Sequence, residues 1–406
     1  MIWEAAGGGS FWVHPVEKTG RLSAGQLPLI SGHKGDVQDI DFHQHNENLI
    51  ASVSEDCYVK LWQIPDGGLT ASMTEPVQSL QGHKRKVGTA DFHPTANNVL
   101  ATTSADLEVK LWDVEAGKCM DSIKGHTDIP QSLSWNADGS VFATSCKDKK
   151  LRMADPRSEK TCSEWAGHDG VKGSRVQWLG PTGKLLSVGW SKTSERQFFI
   201  HDPRNTGKPL ITENIDTASG LLMPFFDADS MILFLGGKGD GNIRYYEIVD
   251  DDKIFYQLSA YSSNVPQRGL ALAPKRAVNV SECEIDRIYK IHGDGKMVEP
   301  LHFCVPRKSD IFQDDLYPPA FNGEAAMTAS EWWGGANKPQ PTVSLEHGFT
   351  PKETKTDFNP VKQEVDEGPK GEKELKEALD KANQRVAYLE AELVKRDARI
   401  KELEGK

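Results

Sequence analysis

Apolar and polar residues alternate in short runs from about residue 37 to residue 305, and Gly, Asp or Asn breaks each run. Such runs are half-buried antiparallel strands joined by tight turns. They recur in register. VQDIDFH (37–43) matches VGTADFH (87–93), and LIASVSEDCYVKLW (49–62) matches VLATTSADLEVKLW (99–112). VFATSCKDKKLRMADP (141–156) is a third copy, and worn copies run through 184–203, 232–248 and 268–306. The pairs Gly32-His33, Gly82-His83, Gly125-His126 and Gly167-His168 mark the repeat, at spacings of 50, 43 and 42 residues. The longer first spacing holds an insertion, PDGGLTASMTEP (65–76). A period near 40–45 predicts four-stranded sheets set radially as a β-propeller. Six copies are recognisable, and residues 1–30 hold the later strands of one that precedes them. A ring has to close or its end sheets keep unpaired edges. The expectation is therefore an all-β, seven-bladed propeller over 1–305 with its first blade incomplete.

Four residue types in each good copy form one expected hydrogen-bonded unit: His33, Ser52, Asp56 and Trp62, then His83, Thr102, Asp106 and Trp112. His-to-Asp spacing is 23 in both, and Asp-to-Trp spacing is 6. The set resembles the structural tetrad of WD repeats, in which Asp orients His, His bonds Ser or Thr, and that hydroxyl bonds the Trp indole. In the third copy Asp148 keeps the turn but Ala154 replaces the Trp. A hydrolytic Ser-His-Asp reading fails because the set recurs with every repeat and no GxSxG elbow appears.

Composition narrows the classes further. The chain carries 48 Lys+Arg against 59 Asp+Glu, a formal charge of −11. That balance opposes a nucleic-acid platform, although it leaves room for local basic patches. Six widely spread cysteines without a CxxC predict neither a disulfide framework nor a zinc site, and fit a reducing cytosol. No apolar run approaches a membrane span, and no basic-then-apolar secretory signal opens the chain. His43-Gln44-His45 looks like a metal pair until aligned with His93, which holds the place of His43 in the next repeat. GKGDGN (237–242) looks like a phosphate loop but lies between strands, with no helix to follow. No catalytic acid, base and nucleophile converge, so no enzyme and no cofactor are expected.

The segments between the strands are more specific. EAAGGGSF, NENLIASVSEDC, GHKRKVG, SKTSER, SGLLMPFFDAD, GKGDGNIRYYE, VPRKSDIFQDDLYPP, AAMTASEWWGG and VSLEHGF occur in order along the chain. Together they resemble the coronins, in the pattern of the short forms with one propeller. Members of that family begin several dozen residues earlier, so the first strands are expected to be missing here. The resemblance implies that residues 306–355 are an extension packed on the propeller, with Phe312, Tyr317, Trp332 and Trp333 as apolar anchors. From 356 to 370, charge, Pro and Gly replace periodic apolar residues, which predicts a flexible linker.

Residues 371–406 contain no proline and fit a heptad, with Leu379, Val386, Leu393 and Ile400 at a and Leu375, Ala382, Leu389, Arg396 and Leu403 at d. A helix of this length is marginal alone in water, so a coiled-coil oligomer is expected. Arg385-Val386-x-x-Leu389-Glu390 and Arg399-Ile400-x-x-Leu403-Glu404 resemble the signature of short parallel trimers. A trimer is favoured over a dimer.

The resemblance implies an F-actin-binding protein of the cytoplasm and cell cortex that works with the branched-filament nucleating complex of actin-related proteins and cross-links filaments. An acidic propeller has to meet an acidic filament through basic islands. The candidates are Lys84, Arg85 and Lys86, and Lys147, Lys149, Lys150 and Arg152, with Lys192 and Arg196 in SKTSER beside them. The alternative is a WD-repeat adaptor for a non-actin partner.

Overall fold

A computed structural model of the chain describes residues 2–4, 7–22, 27–158, 160–307, 311–349 and 358–361, with ten positions between 376 and 396. The chain divides into two compact units, 1–363 and 364–406.

In the first unit, six four-stranded antiparallel sheets follow one another in chain order. Strands Val37–Phe42, Leu49–Ser54, Tyr58–Gln63 and Gln78–Gln81 make one. The next sheets begin at Val87–Phe92, Pro130–Trp135, Arg175–Trp178, Leu222–Asp227 and Gln267–Leu272. From Val37–Phe42 to Leu222–Asp227, each of these innermost strands neighbours the next, which makes the architecture an all-β propeller. In five of the six sheets the second strand is buried along its whole length, as in Leu49–Ser54, Val99–Ser104 and Leu185–Trp190. Those strands therefore read as unbroken apolar and small residues, whereas their neighbours alternate.

The start of the chain divides differently from the sequence expectation. Ile2–Glu4, Ser10–Val13 and Leu29–Ser31 form a three-stranded sheet. Gly20–Arg21 leaves it and pairs with Val298 and Met297 as the outermost strand of the last sheet. The 65–76 insertion returns to the three-stranded sheet. The Ser31 N–H donates to Met73 O (2.9 Å) and the Met73 N–H to Leu29 O (2.8 Å), which closes an outer edge that would otherwise be open.

The apolar core is divided among the junctions between sheets. Leu61 and Leu80 of one sheet pack with Val87 and Leu100 of the next. Phe198 and Leu186 pack with Leu233 and Tyr246. Leu22, with Trp12 and Leu27, packs against Ala273, Tyr289 and Val298 and joins the chain start to the last sheet. Polar staples cross the same junctions near the axis. Asp39 and Asp41 accept the N–H groups of Ala90 and Phe92 (3.1 and 2.9 Å), and Ser132 and Ser134 accept those of Val176 and Trp178 (3.2 and 3.1 Å).

Both full tetrads are assembled. His33 Nδ1 meets Asp56 at 2.9 Å, His33 Nε2 meets Ser52 Oγ at 2.8 Å, and the Trp62 indole donates to the same Oγ at 2.8 Å. His83, Asp106, Thr102 and Trp112 repeat the arrangement at 2.9, 2.8 and 2.8 Å. The glycine of Gly-His has a steric reason: a Cβ at Gly82 would lie 2.9 Å from the Trp112 ring. Burial pushes Asp106 upward, but the Lys84 N–H and the His83 ring outweigh it and hold the carboxyl below its usual range.

The later tetrads are rebuilt with other residues. His126 keeps its bond to Thr144 (2.9 Å), while Asp148 turns to Arg152 (2.6 Å) and Thr127 (2.6 Å). His168 meets Ser187 at 3.1 Å. Gln197 replaces the Asp, donating to His168 Nδ1 (3.1 Å), and His201 replaces the Trp on Ser187 (3.2 Å).

The extension after the last sheet packs on the propeller. Tyr317 is buried and donates to Glu284 O at 2.9 Å, beside Phe312. A short helix, Ala329–Trp333, is capped at Thr328 by a reciprocal box with Glu331. It drives Trp332 to full burial against His93 and Trp135, with the indole donating to Gly139 O (3.2 Å). Trp333 is partly buried at the same cluster. Phe358–Val361, inside the stretch expected to be linker, also lie on the propeller.

In the second unit the described positions are all helical, among them Leu379, Val386 and Arg396. Leu379 and Val386 are 59% and 53% exposed in the single chain. Leu375, Ala382, Arg385, Leu389, Glu390, Leu393, Arg399, Ile400, Leu403 and Glu404 lie outside the described residues.

Two predictions follow from these units. Burial pushes His126, His168 and His201 down to about 4. A base whose folded pKa lies below its unfolded value of about 6.5 stabilises fully above that pH and loses the contribution as pH falls toward 4. The His126 and His168 rings will therefore keep neutral-imidazole NMR shifts at pH 5.5, and titration near 6.5 would contradict their burial. Replacing Arg152 with Ala will cost about 2 kcal/mol in chemical denaturation, because it takes the ion-pair partner from Asp148; Glu164 is 38% exposed and keeps Lys150, which holds the figure at the low end.

Candidate basic face of the propeller

A strand order that runs antiparallel from the axis outward puts the loop entering each sheet at the same end as the turn between its second and third strands. The hydrogen bonds agree. The Ala105 N–H donates to Lys86 O (2.9 Å) and Ser104 Oγ to Arg85 O (3.0 Å), while the Lys147 N–H reaches Ile129 O (3.0 Å). The loop 82–86 and the turn 147–149 thus lie at one end of the ring.

At that end Lys84, Arg85, Lys86, Lys147, Lys149 and Lys150 are exposed. Lys86 makes a long contact with Glu55 (3.4 Å), Lys150 pairs with Glu164 (2.5 Å), and Lys149 Nζ donates to Asp169 O (2.7 Å). These pairs are solvated, and each is worth little. Lys149 also occupies the left-handed region at φ 66°, in the tight turn between the second and third strands.

Two expected residues do not belong to this surface. Arg152 is 2% exposed and clamped by Asp148 (2.6 Å) and Glu164 (2.8 Å). It sits where Lys60 and Lys110 sit in the first two copies, opposite the tetrad hydroxyl. Arg196 is 1% exposed between Asp216 and Asp240 (2.6 and 2.7 Å). Lys192 stays exposed.

Other exposed cations were not singled out from the sequence. Lys34 follows His33 as Lys84 follows His83, Lys124 precedes Gly125-His126, and Lys172 and Arg175 follow Gly167-His168. Lys124 is 75% exposed, and Lys172 lies over the Trp190 ring at 5.0 Å. The signal was position relative to Gly-His, which marks the entry loop of the four sheets that begin at Val37, Val87, Pro130 and Arg175.

The opposite end carries the extension. Ala326 donates to Thr95 O (2.9 Å), Gln340 to Pro94 O (2.8 Å), and Arg157 to Asn337 (2.9 Å). Arg276 pairs with Glu47 (2.6 Å) and lies over Phe321 and Phe349. His43 and His45 are at this end as well, and burial pushes them down to about 3 and about 4. His43 faces the Asn98 N–H and His45 the Pro94 carbonyl. Among the described residues, no group of three or more His, Cys, Asp or Glu is placed to hold a metal. Near the axis, burial and the neighbouring Asp39 push Asp41 up to about 7, even though it accepts the Phe92 N–H. No helix of the described residues is long and apolar enough to cross a membrane.

Comparison with known proteins agrees with this architecture. Residues 25–63, 74–113 and 117–155 match the WD domain, G-beta repeat, and residues 298–340 match a type of WD40 repeat. Coronin-A of Dictyostelium discoideum is 56% identical over 403 residues, covering 99% of this chain and 89% of that protein. Coronin-2B of Homo sapiens is 45% identical, covering 100% of this chain and 86% of that protein. The WD40 domain of Toxoplasma gondii coronin superposes with a TM-score of 0.76 at 33% identity, over 84% of this chain and 88% of that one. Kinship over nearly the whole length, on a propeller with the same repeats, makes the chain a member of the coronin family.

Proposed function

We propose that this protein binds actin filaments through the end of the propeller that carries Lys34, Lys84, Arg85, Lys86, Lys124, Lys147, Lys149 and Lys150. The observation that carries the reading is the combination of coronin kinship with a clustering of exposed cations on one end of a chain whose formal charge is −11. The extension occupies the other end, so the basic end is the one free to meet a filament. The three-stranded sheet at the start counts as an incomplete first blade in a ring of seven. The heptad stretch 371–406 joins chains, as a trimer in preference to a dimer, and gives the assembly several filament sites at once. The exposure of Leu379 and Val386 in the single chain supports an apolar seam that needs partner helices. Its nine basic and nine acidic side chains leave the negative excess on 1–370. In this reading the protein works in the cytoplasmic actin cortex, as a scaffold and without catalysis. There it cross-links filaments and regulates them together with the branched-filament nucleating complex of actin-related proteins.

Reversing Lys84, Arg85 and Lys86 to Glu will weaken F-actin co-sedimentation about tenfold at low salt, from three rim charges worth a few tenths to 1 kcal/mol each. The difference will shrink as salt rises. Equal pelleting of the variant and its parent at low salt would remove this end as the filament site. Deleting 371–406 will abolish low-speed pelleting of filament bundles while high-speed co-sedimentation persists, and bundling by the shortened chain would overturn the cross-linking role.

A further inference from the structure

Among the described residues between 349 and 371, Phe358–Val361, the chain lies on the propeller. Phe358 packs on the cluster that includes Leu61, Leu80, Leu100 and Trp112, at the junction of the sheets that begin at Val37 and Val87. Three residues on, Val361 is held by both of its backbone groups. Its N–H donates to Glu115 O (2.9 Å), and its carbonyl accepts from Gln78 Nε2 (2.8 Å). Gln78 is 4% exposed, so losing the segment would leave a buried amide donor without this acceptor. Glu115 is in turn fixed, its carboxylate accepting from Asn98 at 2.7 Å. An aromatic plug followed by a residue clamped through its main chain is how a groove recognises an extended peptide: main-chain bonds hold it and one side chain selects it.

We propose that the cleft beside Gln78 is a peptide-binding site for an extended aromatic-x-Pro-aliphatic segment, and that its occupant is the chain's own Phe358–Val361. The segment acts as a latch that sets how far the 371–406 stretch can travel from the propeller. Phe349 is the last described residue before it, and it packs in the extension's own cluster. From Phe349 to residue 371 is 22 residues, a span of at most about 79 Å; from Val361 it is 10 residues, at most about 36 Å. Closing the latch therefore halves the reach of the tether, and opening it widens the spacing over which joined propellers can engage neighbouring sites. Pro360 keeps the residue before it out of the helical region, so the occupant arrives already extended.

Lys355 and Lys362 flank the latch and serve as reporters. In limited trypsin digestion of the full chain, Phe358→Ala and Val361→Pro will each raise cleavage after Lys355 and Lys362 at least fivefold. The thermal midpoint of the propeller will not change. A fluorescent peptide of residues 355–363 will bind the Phe358→Ala chain at least tenfold more tightly than the parent, whose site is filled from within. Cleavage rates equal to the parent's in both variants would overturn the latch. Peptide binding of equal strength to parent and variant would mean that the cleft serves a partner in trans. Protection that rises with protein concentration would mean that a second copy fills it.

Discussion

The junction between adjacent sheets is the interaction that every other part of this molecule relies on. A four-stranded sheet with apolar residues on both faces has no core of its own, and its second strand is buried only because neighbours stand on either side. Leu61 with Val87, Phe198 with Leu233, and Trp12 with the cluster of Leu22, Tyr289 and Val298 are three instances of the same contact. The side chains of Asp39, Asp41, Ser132 and Ser134 cross those junctions to backbone N–H groups of the next innermost strand, so the spacing between sheets is set by hydrogen bonds as well as by packing. A displacement of one sheet is felt by two. This is why the entry loops hold a fixed arrangement at one end even though each is short and exposed.

The tetrads show which parts of that plan could be read from the residues. His33 and His83 were legible because a tight turn fixes the interval to Asp and a strand pair fixes the interval to Trp. In the fourth sheet the hydrogen-bond topology survives while its residues change: Gln197 donates where an Asp would accept, and His201 stands where an indole would. A pattern built on residue type cannot see that exchange, although the alignment of His201 with Trp62 and Trp112 was there to find. Arg152 was misjudged for a related reason. In the run KDKKLR it looks like one more surface cation, yet it lies one same-face step further into the sheet than Lys150, at the position held by Lys60 and Lys110, where Asp148 and Glu164 cover it. Phe358–Val361 left no trace because four residues are too few to create a period, and their surroundings have the composition of a linker.

Titratable groups divide by distance from water in a way that bears on the propeller's charge. Burial drives His43, His93 and His126 toward the neutral ring and drives Asp41 and Asp286 toward the protonated acid, to about 7 and about 8. Asp286 has Asp227 and a single cation, Lys275, for company. The formal count of −11 already takes His as neutral, so the buried carboxyls are what make it overstate the negative charge of the folded body near neutral pH. The cations that follow the Gly-His pairs meet a weaker opposing field than composition alone implies.

The extension has a mechanical meaning as well as a structural one. Its contacts are spread from Arg276 and His45, through Thr95 and Pro94, to Arg157 and Gly139, so it reaches several sheets across one end of the ring. Tension applied along the chain from residue 364 meets Phe358–Val361 and its bonds to Gln78 and Glu115 first, and passes to these anchors once that segment is released. The load is shared in shear among Trp332, Tyr317 and the bonds between them, and it crosses the body before it reaches the basic end. A chain strung between two moving objects would thus strain its ring as a unit, and no single sheet would be peeled away first.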